Sequence, residues 1–386
     1  MSAQGPRDPA AASGSVIPGR TRAAAVRSGS WAVVLIAVLA VLPLLNVGTA
    51  GILPGVLSSP GSLNLLGLCL IFAALALTYD LLFGFTGLLS FGHALFFAIG
   101  TYTAEIYMRH LGLHLVPAAL LAVVTGLVCS LVVGAISLRV GGIAFAMVTL
   151  AFAQAGSIIA NQNPGGLTGG ELGESLSFDH VPDVLLGVVN TRNLYWLALA
   201  LLIVVYAIVA FATRSAPGRI WVAIRENELR VQILGLRPFS FKLMAFALAS
   251  TLAAACGVVY LLFVGGANPS ITTPDFTLSL LVMVVLGGAG SRWGAALGGA
   301  LYSYLSQRLP AFASSDAISS LPAPLRVPLS EPLFILGVLF ILVILFLPGG
   351  IAGTVQRSRR SVARDVLRTS LRVRGDAAGD QSGDQQ

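Results

Sequence analysis

The chain has 386 residues, of which 56% are hydrophobic and 10% charged, with a formal net charge of +7. A soluble domain carries about a quarter charged residues, so water is excluded as the solvent for most of this chain and lipid takes its place. The positive balance does not mark a nucleic-acid binder, because the arginines cluster in the connections between apolar runs and not on one face.

The first 30 residues are rich in Ala, Ser, Gly and Arg and are expected as a disordered cytoplasmic tail, 1–30. Apolar runs follow. A bilayer core takes about 20 residues as a helix, and ten spans are predicted, some short. They lie near 31–46, 63–82, 93–108, 117–138, 144–160, 194–213, 242–264, 276–289, 294–310 and 332–348. The basic leader ahead of Trp31–Leu45 resembles a signal peptide ending near Ala50. Its length and the lack of a soluble exported domain downstream favour an uncleaved first span. With the N-terminus in the cytoplasm, nineteen of the 23 Lys and Arg residues fall inside, and only Arg109, Arg192, Arg308 and Arg326 fall outside. That asymmetry supports an even number of spans. The predicted fold is therefore all-α, a polytopic transmembrane helical bundle of about ten spans with some broken helices and both termini cytoplasmic. The membrane region runs over 31–353, and a tail that is first basic and then Gly/Asp/Gln-rich occupies 354–386.

Between the second and third runs, Gly84-Phe85-Thr86-Gly87-Leu88-Leu89-Ser90-Phe91-Gly92-His93 interrupts the apolar pattern. Near the C-terminal third, Gly287-Gly288-Ala289-Gly290-Ser291-Arg292-Trp293-Gly294 does the same. Broken helices at membrane depth are tolerated where they line a cavity or are covered by protein. Packing through small residues is the plainer reading of the same glycines. Two acids, Asp80 and Glu105, lie within apolar runs, which makes each a functional candidate or an interfacial, hydrated group. On an ideal helix His93, Thr101 and Glu105 project within about 120° of one another and could form a polar seam. With Ser90, and with Thr149 and Gln154 of the fifth run, they are the candidates for a translocation pathway.

An outside loop, 161–193, contains Asn163-Pro164-Gly165-Gly166-Leu167-Thr168-Gly169-Gly170-Glu171, too Gly-rich for a packed element. Thr168, Gly169 and Gly170 join the pathway candidates. The cytoplasmic loop 214–241 reads as a short amphipathic helix, with Pro217 in its first turn and Gly235 and Pro238 stopping it. Trp221, Ile224, Val231 and Leu234 form its apolar stripe, which must be buried on lipid, on its own chain or on a partner. The three cysteines sit in apolar runs without metal-ligand spacing, and the four histidines are scattered, so neither a metal site nor a catalytic constellation is expected.

Taken in order, several segments resemble the LivM-type permease subunits of ATP-binding-cassette importers for branched-chain amino acids. They are Gly87 to His93 with Gly100-Thr101-Tyr102, Gly142 to Leu150, and Leu167 to Gly170. Further along come Gly218 to Gly235, Val285 to Ser291, and Leu347 to Ile351. The resemblance covers roughly 63–353. It implies a multi-pass protein of the inner membrane working with a second permease subunit, two ATPase subunits and an extracytoplasmic solute-binding protein. It also implies that ATP and Mg belong to the partner ATPases, with no cofactor in this chain. The loop would be a coupling element that docks into the ATPase, carried by Arg219, Trp221, Ile224, Arg225, Glu226, Asn227, Glu228 and Gly235. The chain itself lacks a phosphate-cradling P-loop, since its only lysine, Lys242, follows Phe241. It departs from the general importer coupling pattern in that Leu229-Arg230 follows Glu228, and Gly235 comes one residue late. Two alternatives stand beside this reading. One is an ion-coupled secondary transporter using Asp80 or Glu105. The other is the same importer carrying urea or short amides.

Overall fold

The computed structural model describes residues 37–45, 48, 54–187, 190–314, 328, 330–347 and 349–354. The predicted tails, the cleavage point near Ala50 and the first part of the predicted span 31–46 lie outside the described residues, apart from Thr354 at the start of the C-terminal tail.

Eleven helices are named here in chain order: α1 Pro60–Asp80, α2 His93–Leu111, α3 Leu115–Ser137, α4 Ile143–Gln162, α5 Thr191–Arg214, α6 Ala216–Glu226, α7 Glu228–Ile233, α8 Pro238–Val264, α9 Pro274–Gly287, α10 Arg292–Ala313 and α11 Pro332–Phe346. Local chemistry sets several of their ends. Ser59 accepts a hydrogen bond from Ser62 N and Pro60 opens α1, the pairing of cap and proline that suits a first turn. Gly112 (φ 62°) and Gly265 (φ 72°) end α2 and α8 in the left-handed region. Pro238, read from sequence as a stop, also opens α8 four residues earlier than predicted.

Among the described residues, six stretches are long and apolar enough to cross a membrane: Pro60–Thr86, α3, α4, α5, α8 and Pro332–Thr354. Helices α2 and α10 have 19 and 22 residues, but their polar residues leave them outside that set. Helix α9, with 14 residues, is short. Several connections meet through their basic residues: Arg225 donates to Gly84 O, Arg292 donates to Ala210 O, and Lys242 pairs with Glu228. The last turn of α2 meets the loop after α4 through the Arg109–Glu174 pair.

Helix α1 is the hub and is buried along most of its length, whereas α3 buries only a narrow stripe of small residues such as Ala118, Ala122, Gly126 and Ser130. The outward faces of α3, such as Leu120, Val128 and Val132, remain exposed, as suits a helix bordered by lipid. Around α1 lie α5, α8 and α10, and α2 packs along α8. The α2–α8 crossing is made by glycines. A Cβ at Gly100 would sit 2.0 Å from Ala254 O, and one at Gly257 would sit 2.1 Å from Phe97 O. The two backbones therefore touch, and Thr101 Oγ1 donates to Gly257 O at 3.0 Å across them.

The loop after α4 is tied down. β1 (Glu174–Ser175) pairs antiparallel with β2 (Gly266–Ala267) just after α8, and Leu176 N extends the ribbon to Gly265 O. The Gly-rich stretch is thus held to the bundle at the buried Thr168 and Gly170 and by the ribbon that follows it, while Pro164, Gly165, Gly166, Leu167, Glu171 and Leu172 stay exposed.

Candidate functional site

The first break is built on backbone groups that the helix has released. After Asp80 the chain widens into a π turn, Leu81–Thr86, and Gly87 (φ 76°) turns it out of the helix. Polar groups freed at membrane depth must find partners within the protein, and here they do. Tyr79 donates to Ser90 O at 3.1 Å, Phe91 N to Thr149 Oγ1 at 3.1 Å, Gly92 N to Ser90 Oγ at 3.3 Å and Ala94 N to Thr277 Oγ1 at 3.3 Å. His93 begins α2, and its Nε2 lies 2.9 Å from Thr78 Oγ1. Since the Thr78 hydroxyl donates to Leu75 O at 2.7 Å, His93 Nε2 carries the proton in that contact.

The structure therefore gathers Ser90, His93 and Thr149 around one break and separates them from the other candidates. Thr101 is occupied at the α2–α8 crossing. Glu105 lies twelve residues beyond His93, about 18 Å along the helix, and its Oε1 accepts from Ser177 N at 3.1 Å. Arg109 pairs with Glu174 one turn further on. His93, Thr101 and Glu105 are buried, each on a different protein partner, so in this conformation they do not form an open seam. Thr168 is also buried, donating to Ala160 O at 2.8 Å. Asn163 Oδ1 accepts from Thr168 N and Gly169 N, while Gly169 and Gly170 take φ of 71° and 62°. Gln154 differs from the rest, because it lies exposed in the middle of α4, on a face shared with Met147, Ala151 and Ile158. An amide bare to hydrocarbon is costly, so this face suits a polar path or a partner better than lipid.

Thr78, Tyr79 and Thr277 were not singled out from the sequence. Their signal, a hydroxyl inside an apolar run, was present but is shared by many helical threonines that merely bond their own backbone. The sequence also scattered His114 and His180, which the fold brings to a ring separation of 6.3 Å.

Glu105 now has a specific expected role as a latch for the outside loop. Glu105→Gln keeps an acceptor for Ser177 N and should retain the loop's protection from proteolysis. Glu105→Ala loses a bond to a charged group worth about 1.5–3 kcal/mol and should speed cleavage within 171–187 about tenfold or more. Equal cleavage of both variants and the parent would remove the latch.

The Arg-rich loop differs from its predicted form. The single amphipathic helix is two helices, α6 and α7, broken at Asn227 (φ −163°, ψ 104°), whose side chain accepts from Arg230 N at 3.0 Å and restarts the chain as an N-cap. The break also divides the apolar stripe. Trp221 is 1% exposed, with its indole N–H donating to Phe241 O at 2.8 Å, and Ile224 and Val231 are buried beside the bundle. Leu234 is 74% exposed, as are Leu229 (68%) and Ile233 (85%). Glu228 pairs with Lys242 at 2.6 Å in the first turn of α8. Arg225 donates to Gly84 O in the π turn. Arg219, Glu226 and Asn227 lie on the outer side, and Gly235 (φ 82°) ends the α7 segment. The apolar seating residues and the exposed apolar residues are thus distinct sets, while Arg225 is exposed and still reaches the bundle.

A family model described as branched-chain amino acid transport system / permease component matches residues 61–346. The high-affinity branched-chain amino acid transport system permease protein LivM of Salmonella typhimurium is 29% identical over 269 residues, covering 63% of this chain and 62% of that protein. LivM of Escherichia coli is 28% identical over 261 residues, 61% and 60% of the two chains. The permease protein LivH of Escherichia coli is 25% identical over 300 residues, 73% of this chain and 91% of that protein. The chain spans about three fifths of the length of the LivM relatives it matches. No solved structure matches it significantly.

Proposed function

The chain belongs to the family of branched-chain amino acid transport system permease components, and from that membership we propose that it is a permease subunit of an ATP-binding-cassette importer for branched-chain amino acids. The observation that carries the coupling part of this reading is the two-sided loop. Its inner face (Trp221, Ile224, Val231) is buried on its own bundle, and its outer face leaves Leu229, Ile233 and Leu234 bare at the Arg-rich end. Bare leucines and isoleucine beside so many arginines suit a soluble partner on the cytoplasmic side. An ATPase subunit is that partner. ATP and Mg would be handled there, and this chain would rock between two states of differing contacts. A second permease subunit, a second ATPase and an extracytoplasmic solute-binding protein complete the assembly.

The ten-span arrangement in the inner membrane, with both termini in the cytoplasm, belongs to the same proposal. It counts α2, α9 and α10 as spans alongside the six longer stretches and adds the run 31–46. The arginine asymmetry of the sequence supports it. The pathway proposal keeps Ser90, His93 and Thr149 at the break, Gln154 on the open face of α4, and Thr168, Gly169 and Gly170 in the outside loop. Thr101 and Glu105 are proposed to join it in a state other than the one described. The ion-coupled alternative is less well supported, since Asp80 and Glu105 are each already engaged by a backbone N–H.

The test is uptake of labelled leucine into vesicles holding this chain with a second permease, the ATPases and the binding protein, with and without ATP. ATP-dependent uptake is expected. ATP-dependent uptake of urea with none of leucine would keep the machine and change its cargo. Uptake by this chain alone on an ion gradient would overturn the reading.

A further inference from the structure

Three segments far apart in sequence meet where α1 ends. Asp80 is 0% exposed; its Oδ1 accepts from Gly290 N at 2.7 Å, and its Oδ2 has no hydrogen-bond partner. Arg225, from the last turn of α6, donates to Gly84 O within the π turn. Three glycines make room for these groups. A Cβ at Gly84 would lie 1.9 Å from Asp80 Oδ1 and 2.3 Å from Gly290 N. A Cβ at Gly87 would lie 3.0 Å from Arg225 Cγ, and one at Gly290 would lie 3.1 Å from Arg225 Nη1 and 3.2 Å from Gly84 O. The stem and head of one arginine therefore rest against both glycine turns, the one after α1 and the one between α9 and α10.

The chemistry explains why such a group is kept. A buried acid inside a membrane protein is expensive unless paired or hydrogen-bonded, and Asp80 and Arg225 both border Gly84 and Gly290. The two turns it touches are where the regular helix gives way, at Gly87 (φ 76°) after α1 and at Gly288 (φ 106°) and Gly290 (φ 81°) between α9 and α10. The other end of α6 is fixed differently, through the Trp221 indole bonded to Phe241 O of α8. A push on the α6–α7 loop therefore meets an anchor at Trp221 and a contact with two breakable turns at Arg225.

We propose that Asp80 and Arg225 form a joint through which movement of the α6–α7 loop is delivered to both glycine turns at once, with Arg225 as the positioning residue that transmits it. The inference rests on the importer reading for its cargo and energy source, but the contact itself does not.

Two measurements separate those dependencies. The first uses the assembled importer in vesicles and reads leucine taken up per ATP hydrolysed. Arg225→Gln should lower that ratio about tenfold, the scale of one lost bond to a charged group. Arg225→Lys, which keeps the charge without the planar fork, should stay low. The double variant Asp80→Asn/Arg225→Gln restores neutrality and should also stay low. Recovery of the ratio in the lysine or the double variant would reduce the pair to charge compensation and overturn the joint. The second measurement uses the purified chain alone, without ATP. Trypsin cleavage after Arg219 and Arg230 should accelerate in Asp80→Asn and Arg225→Gln relative to the parent. Unchanged cleavage overturns the joint whatever the importer does. Faster cleavage in a chain whose assembled form shows no ATP-driven uptake supports the contact and removes only the transport reading.

Discussion

Replacing Leu229, Ile233 and Leu234 together by aspartate abolishes capture of the ATPase subunits by this chain, while the variant inserts and melts like the parent. The expectation follows from the way the loop is divided. These three side chains are 68%, 85% and 74% exposed, so no internal packing is lost when they change. An apolar anchor at the centre of an interface is worth about 2 kcal/mol or more, and burying carboxylates in their place adds a desolvation cost. The combined loss should exceed about 4 kcal/mol, a thousandfold in affinity. Co-purification of the ATPases with the tagged chain, beside a thermal melt of the chain alone, reads both halves of the expectation. Undiminished capture would place the docking face elsewhere. Trp221 and Ile224 would make a poor version of this test, because both are buried in the loop's own seat.

The second large effect is at the α2–α8 crossing. Gly257→Leu should cost about 3 kcal/mol through overpacking, since its Cβ alone would lie 2.1 Å from the Phe97 carbonyl and 3.0 Å from Thr101 N. Neither neighbour is the flexible tip of a side chain. The helices would have to part, taking the Thr101–Gly257 bond with them. Gly141→Leu is the matched control, because nothing lies within 4 Å of a Cβ there. Size-exclusion chromatography in detergent should show a single folded peak for the control and aggregated or lost protein for Gly257→Leu. A folded, parent-like Gly257→Leu would show that the crossing can open without harm.

The long apolar helices were legible in the sequence because lipid demands apolar length, and length can be read directly. The glycine breaks were legible as interruptions for the same reason. The partners that close those breaks were not. Thr149, already a pathway candidate, and Thr277, which was not, bond Phe91 N and Ala94 N from 58 and 183 residues away, and nothing local names those partners. The α6–α7 loop shows the limit most clearly. Its apolar spacing fitted one continuous helix, yet Asn227 competes for the backbone and restarts it, so Val231 stays buried with Trp221 and Ile224 while Leu234 leaves the stripe. Glu105 stands out in the sequence as an acid within an apolar run, but its contact with Ser177, 72 residues away, is set by how the loop after α4 folds back, which periodicity does not encode.

The bond between Asp80 and Gly290 spans 210 residues of chain, which sets a constraint on how the protein is made. Helix α1 leaves the ribosome early, carrying an acid that its own segment cannot satisfy, and its covering turn is synthesised about 10–40 s later at ordinary elongation rates. Throughout that interval the most deeply buried helix of the finished bundle must wait at the insertion machinery or against lipid headgroups. Assembly is therefore ordered from the outside in, with the hub helix being among the first to be translated and among the last to be enclosed.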